Sequence, residues 1–392
     1  MRLPPQPHER IDRSQPVEFT FSGRPVRGFH GDTIGSALFA EGRRVFSRSF
    51  KYHRPRGLQC CTGHCANCQM TVDGIPSVRV CTEPVRAGAV VKGQNFLGSL
   101  DRDLMRATDK FGGPFTPPGF YYKTFIRPRR MWPLYEKILR NAAGLGKLDE
   151  RGARSERVEI EHRHVGVVVI GGGQAGLEAA IEAAERGESV IVADEGPEVG
   201  GSLLADRDGI ATARGLQSRA KAAGVELLAP AIAIGLFEQN LVPVAVGNTL
   251  LKIRAHRVVV AAGVVEQPLV FPGNDLIGVM LPEGVRRLVN YWSIKPGSRA
   301  VVLTADDRGL AAASDLEAAG VEIVELVDFR KRQPPNIEAS GRGGRVHQVG
   351  IHGKWIGFDL VVMSGSPQPN YKLLAQAGAR VEYDTEIGRA HV

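Results

Sequence analysis

Four cysteines constrain this chain more than any other feature. Cys60, Cys65, Cys68 and Cys81 read C-x4-C-x2-C-x12-C, and the first three have the spacing of a plant-type [2Fe–2S] ligand loop. Two irons need four converging thiolates. A tight loop delivers three, and the fourth must return from elsewhere. Gln69-Met70-Thr71-Val72 alternates as a strand does, Asp73-Gly74 is a turn signal, and Pro76 to Val80 runs back. A hairpin of that length brings Cys81 beside the loop. Structural zinc sites pair two Cys-x-x-Cys knuckles, and here Cys65 to Cys68 is the single one. A disulfide framework suits small secreted domains, whereas this sequence has 392 residues and no signal-peptide pattern. Cys61, the fifth cysteine, falls where the loop holds a small residue and reads as packed or redundant. Cys61 in place of Cys60 as first ligand stays open.

The cysteines sit inside a short run of small elements. Val17 to Phe21 and Pro25 to Phe29 predict a hairpin around Ser22-Gly23, and Thr33 to Glu41 a helix that Gly31-Asp32 could cap. The cysteine loop, its return hairpin and Val90-Val91 follow. A β-grasp ferredoxin has this order of elements. From 101 to 162 the chain is a connector broken by Gly112-Gly113-Pro114 and Pro117-Pro118-Gly119 and crowded with Phe120, Tyr121, Tyr122, Phe125 and Trp132. So many large apolar side chains argue against a flexible linker and for packing onto both neighbours.

A nucleotide-binding pattern comes next. His164 to Ile170 is a buried-strand run, Gly171-Gly172-Gly173-Gln174-Ala175-Gly176 is G-x-G-x-x-G, a helix is expected from Gln174 to Arg186, and Ser189 to Ala193 is a second strand ending in Asp194. Gly171 permits a sharp turn, Gly173 lets backbone approach a pyrophosphate, and Gly176 lets helix press on sheet. The helix N-terminus offers free N–H groups to phosphate. Asp194, with Glu195 beside it, stands where a carboxylate accepts from ribose hydroxyls and repels a 2′-phosphate. Two further features favour FAD over NAD: Gly200-Gly201 as a second close-approach point, and Val258 to Gly263 as the later strand-plus-ATG motif of two-dinucleotide flavoproteins, with alanine replacing threonine. A second βαβ pattern, Ala300–Leu303, a helix over 308–319 and Val321–Val327, has Thr304, Asp306 and Gly309 where three glycines belong. Asp306 and Asp307 would face a pyrophosphate, so this unit reads as Rossmann-like with its NAD site altered or lost. NAD remains a candidate ligand there.

The length predicts two or three domains, and hydrophobic residues at 43% supply real cores. No apolar run reaches membrane-span length, which excludes a membrane partner by that route and makes a cytoplasmic location the default. The net charge of +8 gathers around Arg43-Arg44, Arg48, Lys51, Arg54 and Arg56 and from Lys123 to Arg140. These residues flank cofactor motifs with no nucleic-acid module beside them, so nucleic acid is set aside in favour of a solvated face or a docking surface for another subunit.

These motifs together resemble the α subunit of heterotetrameric sarcosine oxidase and its relatives, the large subunits of opine and proline dehydrogenases and hydrogen cyanide synthase. The most specific stretches are Arg48-Ser49-Phe50-Lys51-Tyr52-His53-Arg54-Pro55-Arg56-Gly57, Gly119-Phe120-Tyr121-Tyr122-Lys123-Thr124-Phe125, Asp194 to Leu203, Pro268 to Asp275, and Ser364-Gly365 with Pro369-Asn370. The resemblance implies an iron–sulfur flavoprotein subunit of a multi-subunit amine or amino-acid oxidoreductase, relaying electrons between flavin and cluster. A catalytic flavoprotein β subunit, with smaller subunits, would oxidise the small-molecule amine. Sarcosine oxidases tend to lack the cysteine quartet, which moves the reading toward an electron-relaying, dehydrogenase-like branch. No catalytic acid, base or nucleophile stands out in this chain. His53 and His64 read as structural hydrogen-bonding groups, since four thiolates already serve the cluster. Two rivals stand beside this reading: an NAD(P)H-dependent ferredoxin-type reductase, and a non-catalytic scaffold binding nucleotide and zinc.

The expected fold is α+β and α/β. A β-grasp [2Fe–2S] ferredoxin-like domain (15–100) and an aromatic-rich connector (101–162) lead into the first half of an FAD-binding Rossmann domain (163–275). An inserted NAD-binding-like subdomain (276–380) follows, and then an end at 381–392 where the second half of the FAD domain is missing. Ile387 to Val392 match a translated sequencing adapter, the sign of a truncated reading frame.

Overall fold

The computed structural model describes residues 2–7, 9–50, 52–107, 109, 127–143, 157–331, 336–384 and 389–391. The expected breaks at 112–119, the aromatic residues at 120–125 and half of the adapter-like end lie outside the described residues. Trp132 opens the helix Trp132–Ala143 and is 41% exposed.

The N-terminal unit is a five-stranded sheet. Asp12–Phe21 pairs antiparallel with Arg24–His30 across Ser22-Gly23, whose φ values of 50° and 78° give the left-handed turn that two-residue hairpins need. Val90–Lys92 runs parallel to Asp12–Phe21 on the other side and antiparallel to Gln69–Val72, which turns at Asp73-Gly74 into Ile75–Arg79. The helix Ile34–Ala40 starts at Thr33 rather than at Gly31-Asp32. Thr33 Oγ1 accepts from the Ser36 N–H while Ser36 Oγ accepts from the Thr33 N–H, a reciprocal cap. Asp32 is buried beneath, accepting from the Phe29 N–H and from Ser36 Oγ.

The second unit is a six-stranded sheet. Glu159–Ile170 lies at its centre between Val190–Ala193 and Thr249–Val260, parallel to both. Glu226–Leu228 extends one side, while Leu241–Val246 and Ile232–Ala233 extend the other. The helix Gln174–Glu185 buries Gly176, Leu177, Ala180 and Ile181, a spacing that forms one face toward the sheet. It ends at Gly187, where φ is 87°.

A four-stranded parallel sheet follows, in the order Val279–Met280, Leu360–Ser364, Arg299–Thr304, Glu322–Asp328, with the helix Asp307–Ala318 connecting Arg299–Thr304 to Glu322–Asp328. A three-stranded antiparallel sheet, Ile337–Arg342, Arg345–Ile351 and Lys354–Gly357, is added to it. One continuous core joins this unit to the N-terminal one: Phe19, Leu38, Phe46 and Met70 belong to the same buried cluster as Leu288, Tyr291 and Leu316. Each such side chain contributes roughly 1.5–3 kcal/mol on burial, enough to hold the cysteine-bearing unit firmly against its neighbour.

Candidate functional site

The return hairpin places Cys81 at the far end of the cysteine loop. Cys60 Sγ lies 3.3 Å from Cys65 Sγ, and the Cys81 thiol reaches both Cys60 and Cys68. Cys60, Cys68 and Cys81 are buried and Cys65 is half-buried. Gly35 fits against this arrangement, because a β-carbon there would come within 2.8 Å of the Val80 carbonyl oxygen. Hydrogen bonding among the thiols holds Cys60 well below the ordinary thiol range, while the same bonds and burial raise Cys81. Cys61 has φ of 53° and is buried in the core that also holds Leu288 and Tyr291, while it is the Cys60 thiol that meets Cys65 and Cys81. Burial pushes the Cys61 thiol well up. Among the described residues no group of three or more His, Cys, Asp or Glu side chains is arranged to hold a single metal ion. A two-iron cluster asks for four thiolates spread over two irons, and the set here is a run of neighbouring thiols, Cys65 to Cys60, Cys60 to Cys81 and Cys81 to Cys68.

At the nucleotide pattern the backbone is as tight as its chemistry requires. A β-carbon on Gly176 would stand 1.9 Å from the Gly171 carbonyl oxygen, and one on Gly201 would stand 2.8 Å from Gly173 Cα. The two glycine turns, 171–173 and 200–201, therefore face each other across bare backbone, held by the Gly200 N–H to Gly172 O bond of 2.7 Å. The helix Gln174–Glu185 has Gly173 as its cap residue, which brings no side chain to bond the first N–H groups. A pyrophosphate fits such a cradle. Asp194 binds the loop from the other side: its carboxylate accepts from the Gly172 N–H at 2.6 Å and the Gly196 N–H at 2.7 Å. Burial raises its carboxyl above the usual range against those two bonds. Gly263 ends the ATG-like segment with φ of 64°, and its carbonyl accepts from the Asn370 N–H.

The second Rossmann-like unit has the opposite character. The N-terminus of Asp307–Ala318 is filled by the Asp306 carboxylate, which accepts from the N–H groups of Arg308 (3.1 Å) and Gly309 (3.4 Å) and from Ser364 Oγ (2.6 Å). The donors a pyrophosphate would use are taken by the chain's own carboxylate. NAD does not fit here without displacing it.

Two groups and one contact at the site escape a local reading of the sequence. Glu195 points outward, and its Oε1 lies 3.3 Å from Nε2 of His64 in the cysteine loop. Arg287 sits on a π-helical turn, Arg287–Tyr291, a geometry frequent at functional sites. Its Nη2 donates to the Gly201 carbonyl at 3.1 Å, and Nε and Nη2 donate to Glu283 Oε1 at 3.0 and 2.8 Å. Glu266, just past the ATG-like segment, accepts from the Glu283 N–H through both oxygens. Burial first, and Glu283 second, push its carboxyl up to about 8. It lines a cavity of about 160 Å³ with Ser202, Leu203, Glu283, Arg286 and Arg308.

The fold and the two sites define an iron–sulfur flavoprotein. A 2Fe-2S iron-sulfur cluster binding domain matches residues 14–96, and an FAD binding domain matches residues 166–226. The chain belongs with the sarcosine oxidase α subunits. It is 34% identical to sarcosine oxidase subunit alpha of Rhizobium meliloti (strain 1021), over 96% of this chain and 42% of that one. It is 29% identical to sarcosine oxidase subunit alpha of Corynebacterium sp. (strain P-1), over 88% and 34%. The chain thus spans less than half the length of the curated relatives it matches. L-proline dehydrogenase from P. horikoshii shares the fold, with a TM-score of 0.71 at 21% identity over 100% of this chain and 67% of that one.

Proposed function

We propose that this chain is the electron-relaying, iron–sulfur flavoprotein subunit of a multi-subunit amine or amino-acid oxidoreductase. One observation carries the reading: the cysteine loop and the dinucleotide cradle are packed together, with His64 of the loop bonded to Glu195 of the cradle. A flavin bound there would accept two electrons and release them one at a time, and a [2Fe–2S] cluster would carry one, so together they could divide a two-electron donor's output.

The chain's own residues hold and shield these groups. Cys60, Cys65, Cys68 and Cys81 supply the thiolates. Gly171, Gly173, Gly176, Gly200 and Gly201 keep backbone N–H groups open to phosphate. Asp194 would accept from the ribose, with Glu195 turned outward to His64, and Gly263 would complete the cofactor-binding set. Cys60 rather than Cys61 is the first ligand on this reading, because the Cys60 thiol is the one that meets Cys65 and Cys81. A partner flavoprotein subunit would bring the amine. The cytoplasm is the compartment that suits an unbridged thiol set, and among the described residues no helix is long and apolar enough to cross a membrane.

An absorbance spectrum of the protein purified without oxygen tests this. Overlapping flavin and iron–sulfur bands, with about two irons and acid-labile sulfide per chain, are expected. Zinc without iron rejects the cluster. Bleaching by NADH with no amine present would move the assignment to a reductase.

A further inference from the structure

Arg287 occupies an unusual place. Its side chain is 11% exposed, yet it touches the nucleotide cradle directly through the Gly201 carbonyl. Gly201 in turn lies against Gly173, the residue expected to face the pyrophosphate. The helical segment that carries Arg287 also packs on the cysteine loop. The Leu281 N–H donates to the Gln59 carbonyl at 3.1 Å, and a β-carbon on Gly284 would meet that carbonyl oxygen at 2.4 Å and Cys60 backbone at 3.1 Å. The positive charge of Arg287 also favours the ionised forms of Asp194 and Cys61. Glu283 is its single ion-pair partner among the described residues.

We propose that Arg287 is an electrostatic bridge between the dinucleotide and the iron–sulfur cluster, binding the pyrophosphate across Gly201 and holding the cluster's potential up from beneath the cysteine loop. The inference rests on the cofactor assignment above and adds a positioning residue to it. Both cofactors are anionic: a pyrophosphate carries negative charge, and four thiolates with two sulfides outweigh two ferric ions. Reduction adds a further negative charge to the cluster. A buried cation between them favours the bound nucleotide and the reduced cluster alike, and salt screens it little because water is excluded. Arginine suits this place because it stays charged when buried and donates in a fixed fork, here toward Gly201 O and Glu283 Oε1 together. Glu283 sets how much of that charge is left over.

The test uses the chain with its cluster assembled, an EPR-monitored redox titration for the potential, and calorimetric titration with ADP for the cradle. Arg287→Met is expected to shift the cluster's midpoint potential negative and to weaken ADP by about tenfold or more, the scale of a lost charge-assisted contact. Arg287→Lys should stay near wild type in potential. Glu283→Gln should act in the opposite sense, raising the potential and tightening ADP. That reversed sign distinguishes charge from structural damage, and it decides the matter alone if Arg287→Met does not fold. Wild-type potential and ADP affinity in Arg287→Met, or an unmoved potential in Glu283→Gln, overturn the bridge and leave the cofactor assignment standing. A wild-type chain with no iron–sulfur signal overturns the cofactor assignment, and the bridge with it.

Discussion

His64 Nε2 and Glu195 Oε1 meet at 3.3 Å, and this one contact joins the cysteine loop to the ribose side of the nucleotide cradle. The side chains are 30% and 61% exposed, so water screens the pair. Exposed pairs of this kind contribute about 0.2–1 kcal/mol. A double-mutant cycle on His64→Ala and Glu195→Ala, read by urea denaturation, is therefore expected to give a coupling of that size. A coupling several times larger would mean that the two units depend on this contact rather than on their shared core.

The proposed ligand set leaves Cys61 as a packing residue. Cys81→Ser should abolish the cluster, leaving little iron after anaerobic reconstitution, because the return hairpin brings no other thiol to that place. Cys61→Ser should keep the iron and lose stability, since its hydroxyl would be buried in the cluster with Leu288 and Tyr291 at a cost of about 1–3 kcal/mol. Iron content and thermal unfolding on the same two proteins check both halves. Iron lost from Cys61→Ser and kept in Cys60→Ser would reverse the ligand assignment.

What could be read locally was read well. Ser22-Gly23 and Asp73-Gly74 are turn residues with positive φ in both the expectation and the fold, because a two-residue hairpin is specified by the residues inside it. The G-x-G-x-x-G helix follows for the same reason. Arg287, Glu266 and the His64 contact were invisible because their meaning lies in partners far along the chain: Arg287 bonds to Gly201, and His64 to Glu195. The Thr33 cap was missed in favour of Asp32 because both are good caps, and only the helix register decides between them. The three-stranded sheet over 337–357 carries legible turn signals of its own, Gly343-Gly344 and His352-Gly353, all with positive φ.

Asp306 shows why a damaged fingerprint can still fold as a Rossmann-like unit. Two acids before the helix look wrong for a pyrophosphate, yet Asp306 supplies the helix cap itself. Asp306→Ala is expected to cost about 1 kcal/mol, in the range of lost caps, measured by urea denaturation. NADH at micromolar concentration should leave the four-stranded unit's protection from hydrogen exchange unchanged. Added protection confined to Arg299–Asp328 would show that the carboxylate yields to a nucleotide.

Glu266 makes stability fall as pH rises. Its carboxyl is raised from 4.5 to about 8, so between those values the folded chain holds a proton that the unfolded chain has released. Stability must then decline with increasing pH through that window, by linkage. The direction is opposite to that of a carboxylate held low by a partner, such as Asp206, which burial opposes and Arg286 lowers. The groups facing Glu266 are Glu283 and Asp306, which add to the raise, and Arg308, which opposes it, with Arg286 across the cavity. Glu266→Gln keeps the acceptor for the Glu283 N–H and removes the titration. The difference in unfolding free energy between the two proteins is expected to be small at pH 5 and to grow in favour of the variant toward pH 8, reaching on the order of a few kcal/mol. Taking the difference cancels every group the two proteins share. A difference that stays flat from pH 5 to 8 would mean that Glu266 is ionised in the folded chain, with Arg308 close enough to outweigh its burial.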